Sequence, residues 1–176
     1  YSTPEKSPIT SWAYSILGQI YVVLPLALLG VWGYKSDYQL FMNTEYLLMA
    51  LFVFVWTNDT GAYIVGCTLG KHRLFERISP KKSWEGFFGG LAFCIILASL
   101  ANHIIPGMLS TAQWIGMGIL TSIFSTWGDL CESLLKRTAG VKDSGKILPG
   151  HGGILDRFDS ELIASPVIFI YLTFVL

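Results

Sequence analysis

Long uncharged runs alternate with short charged segments along the chain. No Asp, Glu, Lys or Arg lies in Ser7 to Tyr34 or in Gly86 to Gly128, and Tyr46 to Gly70 is interrupted only by Asp59. Because about 20 apolar residues cross a bilayer as a helix, the first run can form one membrane helix and the second can form two. With the apolar run at the end of the chain, the pattern predicts five membrane helices, at about 12–34, 45–66, 86–103, 113–135 and 160–176.

Composition agrees with a membrane class. The chain is 52% hydrophobic and only 14% charged, whereas soluble domains carry about 25% charged residues. We therefore expect an all-α, polytopic helical bundle, with residues 1–176 forming one transmembrane catalytic domain. The chain starts at Tyr1, and its last apolar run, 162–176, is short for a membrane helix, so we expect the C-terminal portion of a longer chain. The three cysteines are isolated, which indicates neither a zinc site nor a disulfide framework.

Basic residues are concentrated in two segments, 71–85 and 136–157. The other loops carry few charges or none. Two predicted helices separate the basic segments, so both segments should emerge on the same side of the membrane. The positive-inside rule makes that side cytoplasmic.

A polar face is predicted at the end of the fourth helix. Asp129, Glu132, Ser133 and Lys136 follow the spacing i, i+3, i+4, i+7 and therefore share one side of a helix. A helix end lying in the headgroups explains Lys136 and Arg137, but it does not explain an acid more than one turn deeper. Intramembrane carboxylates usually face a cavity or a partner, which favours a functional site.

A glycine-rich segment, GKILPGHGGILDRFD, follows this helix. Glycine backbone N–H groups together with Lys and Arg can cradle phosphates, although an ordinary flexible loop has the same composition. Asp156 and Asp159 begin the next helix, where acids also serve as caps. With Asp129 they form a set of oxygen donors that suits Mg²⁺. The residues alone thus indicate a membrane enzyme that acts on phosphates at the cytoplasmic face.

Other polar groups have two interpretations. Asp59 is a second intramembrane acid, which either serves the site or is satisfied in a neutral network with Asn58 and Thr60. The basic pair Lys81 and Lys82 either sets the topology or binds a lipid or nucleotide phosphate. His151, between glycines, is better suited to contact a phosphate or shape the loop than to bind zinc.

A signature of spaced residues runs through the segment 133–159. Its members are Ser133, Lys136, Arg137, Lys142, Asp143, Gly145, Pro149, His151, Gly152, Gly153, Asp156, Arg157 and Asp159. At these spacings the chain resembles the phosphatidate cytidylyltransferase family of bacterial type, also called CDP-diacylglycerol synthases. The stretches DTGAY at 59–63 and SPKKSWEG at 79–86 resemble the bacterial enzymes as well.

The resemblance implies a reaction and its setting. CTP and phosphatidic acid would give CDP-diacylglycerol and pyrophosphate in phospholipid biosynthesis. The enzyme would be a multi-pass homodimer in the inner membrane, with its site facing the cytoplasm and no nucleic acid partner. The cofactor would be Mg²⁺, used together with K⁺.

The resemblance also implies roles for individual residues. We expect Asp129 and Asp156 to bind the metal. Glu132, Asp143 and Asp159 would either support these ligands or serve as additional ligands. Phosphates would be contacted by Lys136, Arg137, Lys142, His151 and Arg157, beside the backbone of Gly152 and Gly153. Ser133 would hydrogen-bond within the site, and together with Asp129, Asp156, Lys136, Lys142 and Arg157 it forms the expected catalytic set. Asp59, Lys81 and Lys82 are expected substrate contacts of second rank.

Two other functions use similar residues. A CDP-alcohol phosphotransferase also uses membrane aspartates and Mg²⁺, but its D-G-x-x-A-R pattern is missing from the sequence. A transporter would bury acids such as Asp59 and Asp129 near the midplane of the membrane. A purely structural subunit would explain none of the spacing in 133–159.

Overall fold

The protein is a bundle of helices. The computed structural model describes residues 8–33, 44–141, 143–145 and 153–176. Its elements in chain order are α1 (Pro8–Gly18), a π-helical turn (Gln19–Val23), α2 (Leu24–Gly33), α3 (Thr44–Leu69), β1 (Arg73–Phe75), β2 (Ser79–Ser83), α4 (Trp84–Ile104), α5 (Thr111–Thr138) and α6 (Leu155–Val175). Helices stand at all five predicted places, and the predicted all-α membrane bundle is confirmed.

Four helical stretches are long and apolar enough to cross a membrane, namely Pro8–Val31, Glu45–Leu69, Trp84–Ile104 and Leu155–Val175. The helix at the remaining predicted span, α5, has 28 residues but is less apolar. Its polar side chains are buried among the helices that surround it, because α5 packs against α3, α4 and α6. The buried hydroxyl groups on α5 belong to Thr121, Ser122, Ser125 and Thr126.

Close contact between α3 and α4 depends on glycine. A Cβ atom at Gly86 would lie 2.8 Å from the carbonyl oxygen of Ala62, and one at Gly90 would lie 2.7 Å from that of Asn58. Small residues let membrane helices approach until their backbones touch, and packing then replaces the missing hydrophobic force. The apolar core lies beside this contact and contains Leu51, Phe54, Val55, Cys94, Ala98, Trp114, Met117, Ile168 and Leu172.

A tight reversal joins α4 to α5. Ser110 and Gln113 form a reciprocal capping box at the start of α5, which satisfies the first free N–H groups of the helix. Gly107 has a φ of 81°, a left-handed conformation that glycine adopts without steric strain. The turn therefore returns the chain across the bundle within a few residues.

A small β-hairpin, which the sequence did not predict, occupies the first basic segment. Strands β1 and β2 are antiparallel, with Arg73 opposite Ser83 and a register irregularity before Phe75 and Ser79 pair. Glu85, in the first turn of α4, holds the base of the hairpin. Its carboxylate accepts hydrogen bonds from the N–H groups of Lys71 and His72 at 3.2 Å. It also lies 2.6 Å from Nδ1 of His72. The hairpin is thereby fixed to the start of α4. Lys82, on strand β2 of the hairpin, extends from there toward the bundle.

Candidate active site

The polar face predicted on α5 is present. The hydroxyl group of Ser133 donates a hydrogen bond to Asp129 Oδ1 at 3.2 Å. One turn further along, Lys136 forms an ion pair with Glu132. Both pairs have the i, i+4 spacing that brings side chains together on a helix surface. The four residues thus line one side of α5, as the sequence indicated.

Lys136 joins α5 to α6. Its ammonium nitrogen lies 2.7 Å from Asp156 Oδ1, while it also pairs with Glu132 on its own helix. Only 1% of the Glu132 side chain and 10% of the Asp156 side chain are exposed. An ammonium group between two carboxylates offsets the cost of burying their charges, which is large for an unpaired ion. Lys136, Glu132 and Asp156 form the first part of the site, which we call the Lys136 cluster.

Two backbone N–H groups from the segment between α5 and α6 also bind Asp156. The backbone N–H groups of Ser144 and Gly153 donate to Asp156 Oδ2 at 2.9 Å and 2.7 Å. These two donors therefore bind a carboxylate of the protein, whereas the sequence predicted that the backbone at Gly153 would face a phosphate. A carboxylate that accepts several charge-assisted hydrogen bonds is held firmly. Asp156 thus closes the segment between α5 and α6.

A second ion pair connects the hairpin to α5. The ammonium nitrogen of Lys82 lies 2.6 Å from Asp129 Oδ2 and 3.4 Å from the carbonyl oxygen of Thr126. This contact confirms that the two basic segments emerge at the same end of the bundle. Asp59 and Lys81 line a cavity of about 290 Å³ together with Lys82 and Asp129. The structure therefore brings the second-rank residues Asp59, Lys81 and Lys82 next to a predicted metal ligand.

A buried polar network lies beneath this cavity. The side-chain amide of Asn58 donates to Ser125 Oγ at 3.1 Å, and its carbonyl oxygen accepts from the hydroxyl of Ser122 at 2.6 Å. Because the membrane interior supplies no water, each of these polar groups needs a hydrogen-bond partner within the protein. Asn58 thereby fixes α3 against α5 at the level where its neighbour Asp59 enters the cavity.

The predicted metal ligands are arranged around lysines. Asp129 pairs with Lys82, whereas Asp156 and Glu132 pair with Lys136. Asp159 lies on α6 beside α5, because a Cβ atom at Gly128 would meet its carbonyl oxygen at 2.5 Å. Among the residues that the structure describes, no three Asp, Glu, His or Cys side chains are gathered into a group that could hold a metal ion.

The remaining predicted residues are either exposed or fall outside the part of the chain that the structure describes. Asp143 and Arg137 are exposed, and Arg157 is exposed at the start of α6. Lys142, His151 and Gly152 lie outside the described residues. Their predicted contacts with phosphates remain predictions.

Three polar residues near the site were not predicted. The sequence indicated Asn58 only as a partner for Asp59. Glu161, two residues after Asp159, is 3% exposed on α6. The rule that identified Asp59, an acid within a membrane helix, applies equally to Glu161 and would have found it. Tyr21 has a buried hydroxyl group, and a single aromatic residue in an apolar helix gives no sequence signal.

Comparison with known proteins gives the family. Residues 2–175 match the sequence profile described as the cytidylyltransferase family. The chain belongs to this family. The name of this family refers to the transfer of cytidylyl groups.

Individual relatives carry a more specific name. The chain is 41% identical over 160 residues to the phosphatidate cytidylyltransferase of Staphylococcus aureus strain COL. It is 41% identical over 159 residues to that of Staphylococcus haemolyticus and 40% identical over 159 residues to that of Staphylococcus epidermidis strain ATCC 12228. Each match covers 90% of this chain and 61% of the relative. The chain thus spans about three fifths of the length of these relatives.

Proposed function

We propose that the protein containing this chain is a phosphatidate cytidylyltransferase, which transfers CMP from CTP to phosphatidic acid. One observation carries the proposal. Lysines and carboxylates from the hairpin, α5 and α6 converge at one end of a membrane bundle, through the pairs Lys82–Asp129 and Lys136–Asp156. Such a place can bind phosphates of a lipid and of a nucleotide together. The name of the staphylococcal relatives supports the same reaction.

The reaction brings two anions together. An oxygen of the lipid phosphate attacks the α-phosphorus of CTP and forms a new P–O bond, while the bond from that phosphorus to the bridging oxygen breaks. Pyrophosphate leaves with the electron pair. Since a phosphate monoester is largely ionised near neutral pH, no strong protein base is needed. Alignment of the two phosphates and compensation of their charge are therefore the main demands on the site.

The described residues meet these demands through two positioned lysines. Lys136 and Lys82 each carry an ammonium group that a carboxylate keeps in place. In our proposal they attract the phosphates, with Arg157 and, from the sequence pattern, Lys142 and His151. The hydroxyl group of Ser133 donates a hydrogen bond to Asp129 and so orients that carboxylate. Asp59 and Lys81 are among the residues that line the adjoining cavity.

We also propose that Mg²⁺, with K⁺, serves as cofactor. The donors fit a hard cation, because they are carboxylate oxygens. Oε2 of Glu132 pairs with Lys136, and its buried Oε1 accepts no hydrogen bond from the described residues. Asp129 and Asp156 would hold the ion, with Glu132, Asp143 and Asp159 as further ligands. When bound, the cation would compensate negative charge on the phosphates and on the departing pyrophosphate.

The setting of the reaction forms part of the proposal. The protein is a membrane protein, and the two basic segments lie at one end of its helices. By the positive-inside rule this end faces the cytoplasm of the bacterial inner membrane, where CTP is available. A homodimer, as the family resemblance implies, completes the proposal, and no nucleic acid takes part.

The first test measures the transfer itself. The full-length parent protein and its Asp156→Asn variant are incubated with labelled CTP and phosphatidic acid in mixed micelles, with and without Mg²⁺. We expect label in the lipid phase only for the parent with Mg²⁺. We expect the variant to lose at least 100-fold, because its amide cannot replace a charged ligand (about 2.7 kcal/mol in transition-state stabilisation).

Two results would contradict parts of the proposal. If a well-folded parent transfers no label, the reaction is wrong. If Asp156→Asn keeps near-normal turnover while expressed normally, the metal assignment is wrong and the reaction stands. A Glu76→Gln variant serves as the control, because Glu76 is an exposed acid in the hairpin turn without a proposed role, and it is expected to keep the activity of the parent.

A further inference from the structure

The first membrane span contains a local irregularity beside α6. Between α1 and α2 the chain forms one π-helical turn, Gln19–Val23. Such turns hold an additional residue within a helix and occur frequently at functional sites. No residue of α1 is buried, whereas the π turn and α2 lie against α6. The irregularity thus marks the level at which this span begins to contact the rest of the bundle.

Tyr21 stands in the middle of the π turn. Its hydroxyl oxygen is buried and has no hydrogen-bond partner among the described residues. Acidic side chains lie near enough to interact with this hydroxyl, namely Glu132 and Asp129 on α5 and Asp159 on α6. The hydroxyl therefore lies near acids of α5 and α6 that belong to the predicted site, Glu132 of the Lys136 cluster among them.

The buried hydroxyl group of Tyr21 lacks a hydrogen-bond acceptor among the described residues. A buried hydroxyl without a hydrogen bond is unfavourable, and buried tyrosine hydroxyls usually have a partner. The neighbouring Glu132 pairs with Lys136 through Oε2, while its buried Oε1 accepts no hydrogen bond from the described residues. A buried donor left open beside a charged cluster is typical of a site completed by a ligand.

We propose that Tyr21 is a substrate-contacting residue whose hydroxyl group donates a hydrogen bond to a phosphate oxygen of the bound substrate. The inference rests on the proposed cytidylyl transfer for the identity of the phosphate, which belongs either to CTP or to phosphatidic acid. A hydroxyl group can donate this hydrogen bond without adding charge to a place that already holds several acids. The first span therefore contributes to the site directly.

The test compares two tyrosines of the same span. Tyr21→Phe removes only the buried hydroxyl, and Tyr14→Phe removes one from a side chain that is 65% exposed. In the full-length parent we expect Tyr21→Phe to lower kcat/KM about 10-fold, which corresponds to about 1.4 kcal/mol, and Tyr14→Phe to change it less than twofold. A rise in KM for CTP alone assigns the contact to the nucleotide, and a rise for phosphatidic acid alone assigns it to the lipid.

A binding measurement separates this inference from the proposed reaction. Thermal unfolding in detergent is followed with no ligand, with CTP and with phosphatidic acid. We expect Tyr21→Phe to unfold within 1–2 °C of the parent without ligand, about the shift for a small change in stability, and to lose most of the stabilisation by one of the two ligands. This readout does not need turnover, so it tests Tyr21 even if the parent transfers no label.

Two outcomes would overturn the inference. The first is a Tyr21→Phe variant that keeps both kcat/KM and the stabilisation by each ligand within twofold of the parent. The second is a variant that loses stability without ligand and keeps its ligand-induced shifts, because the hydroxyl would then be a structural donor within the protein.

Discussion

Lys136 shows how a single side chain organises this site. Its ammonium group lies between the carboxylates of Glu132 and Asp156, and its own side chain is 17% exposed. The neighbouring Arg137, by contrast, is exposed. Two adjacent basic residues at a helix end thus have different functions, because only one of them lies on the inner face of α5.

We predict that Lys136→Met destabilises the protein. The change leaves two buried carboxylates without their counter-charge, and breaking a buried ion pair in this way costs about 3–5 kcal/mol. The free energy of unfolding in detergent measures the loss. Lys81→Met is the control, since Lys81 is exposed, and it should change stability by less than about 0.5 kcal/mol.

The double variant Lys136→Met with Glu132→Gln provides a check on the cause. Removing the buried negative charge together with the ammonium group should restore part of the lost stability. Equal stability of Lys136→Met and Lys81→Met would show that the ion pair has no structural role.

At the scale of elements, the site depends on how α3, α4 and the hairpin are joined. Asn58 on α3 bonds to α5, and Gly90 on α4 leaves room for it. At the end of α4, Glu85 binds the base of the hairpin and so directs Lys82 toward Asp129. The cavity between Asp59 and Lys82 therefore exists only while these elements keep their spacing.

We predict that Gly90→Ala disturbs this spacing. Its new Cβ would lie 2.5 Å from Asn58 Oδ1 and 2.7 Å from the Asn58 carbonyl oxygen, so α3 and α4 must separate. Forcing a methyl group into packed structure costs about 1–3 kcal/mol, and cytidylyl transfer should fall as well. Both are measured beside Gly30→Ala, where an added Cβ meets nothing within 4 Å. The packing explanation is wrong if the two alanine variants behave alike.

At the scale of the whole molecule, the polar groups are gathered at one end of an apolar bundle. The hairpin and the segment between α5 and α6 lie at this end, whereas the capped turn before α5 lies at the other. This polarity separates the proposed enzyme from a transporter, whose acids would serve a path through the midplane.

We predict opposite accessibility of the two ends. In a parent whose Cys67, Cys94 and Cys131 are replaced by serine, Arg77→Cys in the hairpin turn and Pro106→Cys in the turn before α5 are labelled with a membrane-impermeant maleimide. We expect Arg77→Cys to react mainly in inside-out vesicles and Pro106→Cys mainly in right-side-out vesicles. Labelling of both variants from the same side would refute the topology.

The amino-acid sequence by itself determined the membrane class, the places of five helices, the common side of the two basic segments and the polar face of α5. All of these follow from periodicity and charge within short windows, because helix geometry and the transfer of apolar residues into lipid are local properties. The starts and ends of the helices differ from the prediction by a few residues, since caps such as Ser110 and Ser83 set them.

The tertiary structure alone decided which charges meet. Lys136 and Asp156 are 20 residues apart, and Asn58 and Ser125 are 67 residues apart, so no local pattern specifies their contact. The hairpin, the buried position of Glu161 and the inward hydroxyl of Tyr21 likewise depend on the packing of one helix against another. Packing is fixed by the sum of many contacts between distant segments, and for that reason it places side chains that periodicity cannot place.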